Sequence, residues 1–128
     1  MVANEGELSA TFATDGIDPV GSISIIAVKQ GMPADQAVTL DFSDFNAGAK
    51  RSIELPAAVR IGRIGASVAQ DMEPEYVSIS ADSSRAYVTL QENNAVAVVN
   101  LRQPHIERLL PMGVKDHGLA RNALAASD

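Results

Sequence analysis

The sequence predicts an all-β, mainly antiparallel fold: a partial β-propeller of about two four-stranded blades, with one short helix-containing insertion. Three observations predict it. The stretch Glu73–Leu101 holds three strand patterns joined by tight polar connections, which is a meander, the main part of a propeller blade. A fourth strand pattern, His105–Leu110, follows after a short turn through Gln103 and Pro104. The third observation is an internal echo. Val2-Ala3 followed by Asn4-Glu5 and then Ser22–Val28 parallels Val88-Thr89, Gln91–Asn93 and then Ala95–Leu101, with Ile23 falling on Val96 at an offset of 73 residues. Propeller blades repeat at about 40–50 residues, so an insertion or crossover has to lie between the two copies.

In chain order, Met1-Val2-Ala3 is apolar and reads as the end of a strand, followed by Asn4-Glu5-Gly6-Glu7 as a loop. Thr14–Gly21 carries Asp, Gly and Pro in turn-forming density. Ser22–Val28 alternates and is β-branched, so it is a strand. Lys29–Asp35 reads as a polar connection and Ala37–Phe42 as another strand. Ser43 or Asp44 then caps an expected short helix over Phe45–Leu55, with Pro56 ending it, although Gly48 and Ile53 are poor helix formers. Ala58–Ile61 is expected to be extended, and Gly62–Met72 to be a loop that delivers the chain to Glu73. Tyr76–Ser80, Ala86–Leu90 and Ala95–Leu101 are the strands of the meander, and Ala81–Arg85 is a turn in which Asp82 and the serines bond the local backbone. Met32, Met72 and Met112 are expected to fill gaps. The tail from Gly113 has no strong period and reads as loop, weakly helical over Leu119–Ala126. The organisation expected is an incomplete first blade at 1–42, an insertion or crossover at 43–72, a second blade at 73–112, and a tail at 113–128 entering a further blade.

Composition narrows the function classes. A net charge of −6 and a lack of clustered Lys and Arg argue against a nucleic-acid surface. With no cysteine there is no disulfide, thiolate metal site or Cys nucleophile. No apolar run approaches the ~20 residues of a membrane span, and the chain shows no signal-peptide pattern. It also has no Gly-x-Ser-x-Gly elbow, no phosphate loop ending in Lys-Ser/Thr and no His-Glu-x-x-His. Gly62-Arg63-Ile64-Gly65 has the outline of an anion-holding loop, an outline common in ordinary connections.

Strand order makes a geometric prediction. In a blade, the loop entering the innermost strand and the loop joining the second and third strands lie on one face. Glu73 and Glu75 are at the first, and Gln91, Glu92, Asn93 and Asn94 at the second. Asn4, Glu5 and Glu7 occupy the equivalent second loop of the preceding blade, and Asp116 and His117 follow the fourth strand onto the same side. Glu5, Glu7, Glu73, Glu75, Glu92, Asn93, Asp116 and His117 are therefore the candidate metal ligands. Hard oxygen donors suit Ca²⁺ or another divalent cation, and His117 admits a transition metal. Against this stands the ordinary fate of acidic loop residues, which is solvation. Asn93 and Asn94 equally suit a turn with left-handed backbone.

The motifs VANEGE, DPVGSISII, DFSDFN, VRI, GASVAQDMEPEYVSIS, AYVTLQENNAVAVVNL and GVKDH occur here in one order. In that order the chain resembles the choice-of-anchor I propeller family, which includes mesenchyme-specific cell-surface glycoproteins. The resemblance covers nearly the whole chain. It departs at Ser83-Ser84, where the turn more usually has Gly, and in the drifted tail Gly118–Arg121. The resemblance implies a secreted or surface-attached protein, and about two blades leave sheet edges open for further propeller blades or a homo-oligomeric partner to cover. Three functions are expected. The first is an extracellular propeller segment whose acidic rim binds a divalent cation, for interaction or mineral-related binding. The second is a metal-dependent phosphoesterase, as implied by the alkaline-phosphatase-like label common on bacterial members. The third is an inactive fragment of a larger propeller.

Overall fold

Alternation of apolar and small polar residues produces short antiparallel strands throughout, and their pairing defines the architecture. The computed structural model describes residues 1–122; the expected helical stretch over Leu119–Ala126 is a 3-10 turn at Ala120–Asn122, and its remainder lies outside the described residues. The chain runs through β1 (Val2–Asn4), a single helical turn α1 (Phe12–Asp15), β2 (Ser22–Ile25), a small hairpin of β3 (Val28–Lys29) and β4 (Met32–Pro33), and then β5 (Val38–Asp41). A crossover containing α2 (Val68–Asp71) then leads to the meander β6 (Pro74–Ile79), β7 (Arg85–Leu90), β8 (Ala95–Asn100) and β9 (His105–Pro111). The first sheet has the order β1-β2-β5 and the second β6-β7-β8-β9, with every pairing antiparallel. The fold is all-β with few helical turns, and the sheets are open, consistent with a partial propeller.

Several expectations need correction. Ser22–Val28 is not one strand: β2 stops at Ile25 and Val28 opens the hairpin. Lys29–Asp35 is part of that hairpin rather than a plain connection, because Gln30 and Gly31 both take positive φ (52° and 79°), the backbone of a tight two-residue hairpin turn. The helix over Phe45–Leu55 does not form. Two 3-10 turns, Ser43–Phe45 and Ser52–Glu54, stand in its place, separated by Gly48 at φ 76°. The helix of the crossover is α2, inside the stretch expected to be loop. A capping box starts it: Ser67 Oγ accepts from Gln70 N and Gln70 Oε1 accepts from Ser67 N, worth about 1 kcal/mol. Asn46 Oδ1 accepts from Ala69 N at 3.0 Å, satisfying another free donor of that first turn. Ala58–Ile61 forms no strand. Of the methionines, Met72 is fully buried, whereas Met32 and Met112 are 70% and 67% exposed.

One apolar cluster joins the two sheets. Ala86, Val88 and Leu90 alternate inward from β7, and Ala95, Ala97 and Val99 from β8. They meet Ile23 of β2, Phe42 and Phe45 after β5, and Met72 after α2. The crossover also covers part of the outer edge of the meander. Arg51 donates to the carbonyls of Ile106 (2.5 Å) and Glu107 (3.0 Å), pairs with Glu54 at 2.7 Å, and lies over the Phe45 ring at 4.6 Å. Those carbonyls sit where β9 bulges against Val98 and Val99, so a guanidinium fork bonds two adjacent acceptors at the irregularity.

The backbone of the first sheet's lead-in approaches the crossover closely at Gly21, whose N–H donates to the Ala69 carbonyl at 2.9 Å. A Cβ there would stand 1.8 Å from the Met72 carbonyl oxygen and 2.8 Å from Pro74 Cδ. Gly21→Ala is expected to lower stability by about 3 kcal/mol, because the obstacle is backbone and cannot rotate away. A urea midpoint unchanged from wild type would refute this reading of the contact.

Candidate functional site

Where β6 begins, the β7–β8 turn and the loop after β1 come together around an open cleft of about 620 Å³ lined by Glu7, Leu8, Arg60, Gly62, Arg63, Asp71, Glu73 and Glu92. Its floor is a hydrogen-bonded pin. Asn93 is 1% exposed. Its Nδ2 donates to the carbonyls of Asp71 (2.8 Å) and Arg60 (3.0 Å) and lies 3.2 Å from Asp71 Oδ2, while its Oδ1 accepts from Glu73 N at 3.2 Å. Arg60 N returns a bond to the Asn93 carbonyl at 2.9 Å. Three acceptors around one amide nitrogen and a donor at its oxygen fix the orientation of the side chain. Asp71, 8% exposed, accepts from Gly62 N (2.9 Å) and Arg63 N (2.8 Å). The Gly62-Arg63 backbone therefore does hold an anion, and the anion is this chain's own carboxylate. Arg63 in turn donates to the Gln70 carbonyl at 2.7 Å. It also stands 2.9 Å from Asp18 Oδ1, off the N–H axis, so that contact is an ion pair without an aligned hydrogen bond.

The structure places the eight candidate ligands as follows. Glu7, Glu73 and Glu92 line the cleft. Glu75, near the start of β6, feels the charges of Glu92, Glu5 and Glu73, and Glu5 lies in the loop after β1, two residues before Glu7. Asn93 lies beneath the rim with its oxygen turned to Glu73 N. Asp116 and His117 bond locally: Asp116 Oδ1 accepts from Gly118 N at 2.9 Å, and His117 Nδ1 is 2.6 Å from the Asn122 carbonyl. None of the described contacts joins them to the cleft. Among the described residues, no three acidic or histidine groups stand close enough together to hold a metal ion as arranged. Sequence reasoning missed Asp71 and Arg60, and set Arg63 aside with its loop as an ordinary connection. The Ser67-x-x-Gln70 box was the available signal, since it starts a helical turn that ends at Asp71 beside Glu73.

Burial pushes the Glu73 carboxyl above its usual 4.5, and the charge of Glu92 pushes it further, with Arg63 opposing and Glu7 and Asp71 adding. Glu75 is raised as well, first by burial, then by the Glu92 carboxyl beside it and by Glu5 and Glu73. The rim is a set of like charges held together by the fold. Away from it Asp82 is the opposite case: hydrogen bonds from Ser80, Ser84 Oγ and Ser84 N hold it well below the carboxylate range, and Ser83 at φ 53° closes that turn in the conformation Gly would take.

Two outcomes follow from this geometry. Asn93→Ala strips partners from the Arg60 carbonyl, Asp71 and Glu73 N in a buried place, and is expected to cost about 3 kcal/mol in urea unfolding; a loss under about 1 kcal/mol, the net worth of a single bond, would refute the pin. The raised carboxyls bind their protons more tightly in the folded than in the unfolded chain. Their contribution to stability is present below 4.5 and is lost as pH rises through the folded values. Glu92→Gln removes the charge both of them face, so it should stabilise the protein at neutral pH relative to wild type and much less at pH 4.5. Equal differences at the two pH values would contradict the repulsion.

No curated protein and no solved structure matches this chain, and no helix among the described residues is long and apolar enough to cross a membrane. The sequence model of the choice-of-anchor I domain matches residues 1–128. A match over the whole chain, on an open all-β structure of antiparallel blades, makes this protein a member of the choice-of-anchor I domain family.

Proposed function

We propose that the chain is an extracellular propeller segment, part of a secreted or cell-surface protein, whose acidic rim binds a divalent cation, Ca²⁺ above all, in the service of interaction or mineral-related binding. Family membership supports the surface setting. The observation that carries the cation is the gathering of Glu7, Glu73 and Glu92 around one cleft; the raised carboxyls of Glu73 and of Glu75 beside it agree with crowding of like charge that a cation would relieve. Carboxylate oxygens suit Ca²⁺, which tolerates irregular coordination by six to eight oxygens. Because the carboxylates ring an open cleft rather than meeting at one point, binding has to draw them inward. An affinity on the order of 10⁻⁴–10⁻³ M, the range of extracellular calcium modules, is expected.

Calorimetric titration of the chain with CaCl₂ at neutral pH tests this. Saturable binding that weakens several-fold in Glu75→Gln and in Glu92→Gln is the expected result. No heat up to about 10 mM Ca²⁺, an order of magnitude beyond that range, would end the cation reading and leave the family membership untouched.

A further inference from the structure

A second cleft, of about 620 Å³, shares Arg60 with the acidic one but is lined by Gln91 and Asn94 where the acidic one is lined by Glu92. Ala57, Ala58 and Val59 give it an apolar side, and Lys115 stands with Arg60 in its wall. Among the described residues no carboxylate lines it. The acidic cleft and the clefts around His105 and Asp82 all have Asp or Glu in their walls. In a chain of net charge −6, a cleft with two cations and no acid is a local reversal of sign.

The β7–β8 turn places both cations. Asn93 holds the backbone of Arg60 from two sides: its carbonyl accepts from Arg60 N at 2.9 Å, and its Nδ2 donates to the Arg60 carbonyl at 3.0 Å. Asn94, in left-handed backbone at φ 50°, holds the chain that leaves β9. Its carbonyl accepts from Met112 N at 2.9 Å, and its Nδ2 donates to the Gly113 carbonyl at 2.7 Å. Gly113, at φ 78°, then turns the chain so that Lys115 reaches the cleft. Adjacent asparagines thus bring together cations from two distant segments. Neither Arg60 nor Lys115 makes an ion pair among the described residues. The acids next to this wall in sequence are turned elsewhere: Glu92 lines the acidic cleft, and Asp116 Oδ1 accepts from Gly118 N at 2.9 Å.

We propose that this cleft binds a tetrahedral oxyanion, phosphate or sulfate, carried on a small organic body. Arg60 offers a planar fork of donors and Lys115 a compact point charge, and the Gln91 amide adds a neutral donor. Donors on three separate segments suit oxygens that point in three directions, which phosphate and sulfate have and a carboxylate lacks. The cleft is larger than a bare ion, and Ala57, Ala58 and Val59 present apolar surface to whatever carries the anion. The site does not rest on a cation at the rim, since Arg60 is the one lining residue that the two clefts share and a guanidinium binds no metal.

Titration of the isotope-labelled full chain with inorganic phosphate, inorganic sulfate and phenyl phosphate, followed by NMR without divalent cations at constant ionic strength, tests this. Saturable shifts confined to residues 57–60, 91–94 and 113–115 are expected, with a dissociation constant for the free ions on the order of 10⁻³ M. Arg60→Gln and Lys115→Gln should each weaken binding about tenfold. Lys50→Gln removes an equal charge at a different cleft and should leave binding nearly unchanged. Phenyl phosphate should bind several-fold tighter than the free ions; equal affinity keeps the oxyanion site and assigns the free ion as its ligand. Absence of saturable shifts with all three probes overturns the proposal. So does an equal loss in Lys50→Gln, which would mean attraction by overall charge alone. Circular dichroism reports whether the variants fold, and Lys115→Gln, at an exposed position, carries the comparison if Arg60→Gln does not.

Discussion

The Asn93 side-chain amide, buried under the β7–β8 turn, is the point on which the rest of the structure depends. It is one of the few fully buried polar groups among the described residues, and its partners come from two places in the crossover: Arg60, and the short link from Asp71 at the end of α2 to Glu73 at the entry to β6. A buried amide left unbonded is costly, so the crossover has no freedom to settle elsewhere once the meander has formed. Asp71 extends the constraint by collecting the N–H groups of Gly62 and Arg63. The polar pin and the apolar cluster around Ile23, Met72 and Leu90 therefore act on the same segment from two sides.

That arrangement explains why the rim holds its charges together. Glu73 cannot move away from Glu92, because its own backbone N–H is bonded to the side chain of the residue following Glu92. The fold tolerates the repulsion, and the raised carboxyls are its measure. Elsewhere charge is handled differently. Arg85 meets Glu107 at 2.8 Å across the face of the meander, and Arg51 commits its guanidinium to two carbonyls and Glu54. Those charges have partners of opposite sign or carbonyl acceptors, whereas the rim gathers like charges, which is why the rim carries the functional reading.

Much of the fold was legible along the chain, for a physical reason visible in particular residues. Alternation in Tyr87–Leu90 and the small-apolar run Ala95–Val99 encode burial at period two, and period two is a local property. The same holds for Asp82, whose turn closes on its immediate neighbours. Legibility failed wherever a competing partner was distant. Phe45–Leu55 has a helix start and stop, yet Phe45 is taken by the core, Asn46 by α2 and Arg51 by β9. The hairpin around Gln30 and Gly31 was missed because glutamine is not a residue that announces positive φ.

The candidate site divides the same way. Strand order alone determined that Glu5, Glu7, Glu73, Glu75 and Glu92 belong to strand ends on one side, since alternation of direction in an antiparallel meander assigns each loop to a face. Only the tertiary structure decided that Asn93 turns inward as a pin, that Asp71, Arg60 and Arg63 join the cleft, and that Asp116 and His117 bond locally instead. The Asn93 pin rests on contacts spanning 20 to 33 residues, set by which buried group most needs a partner, and that need exists only once the core has excluded water.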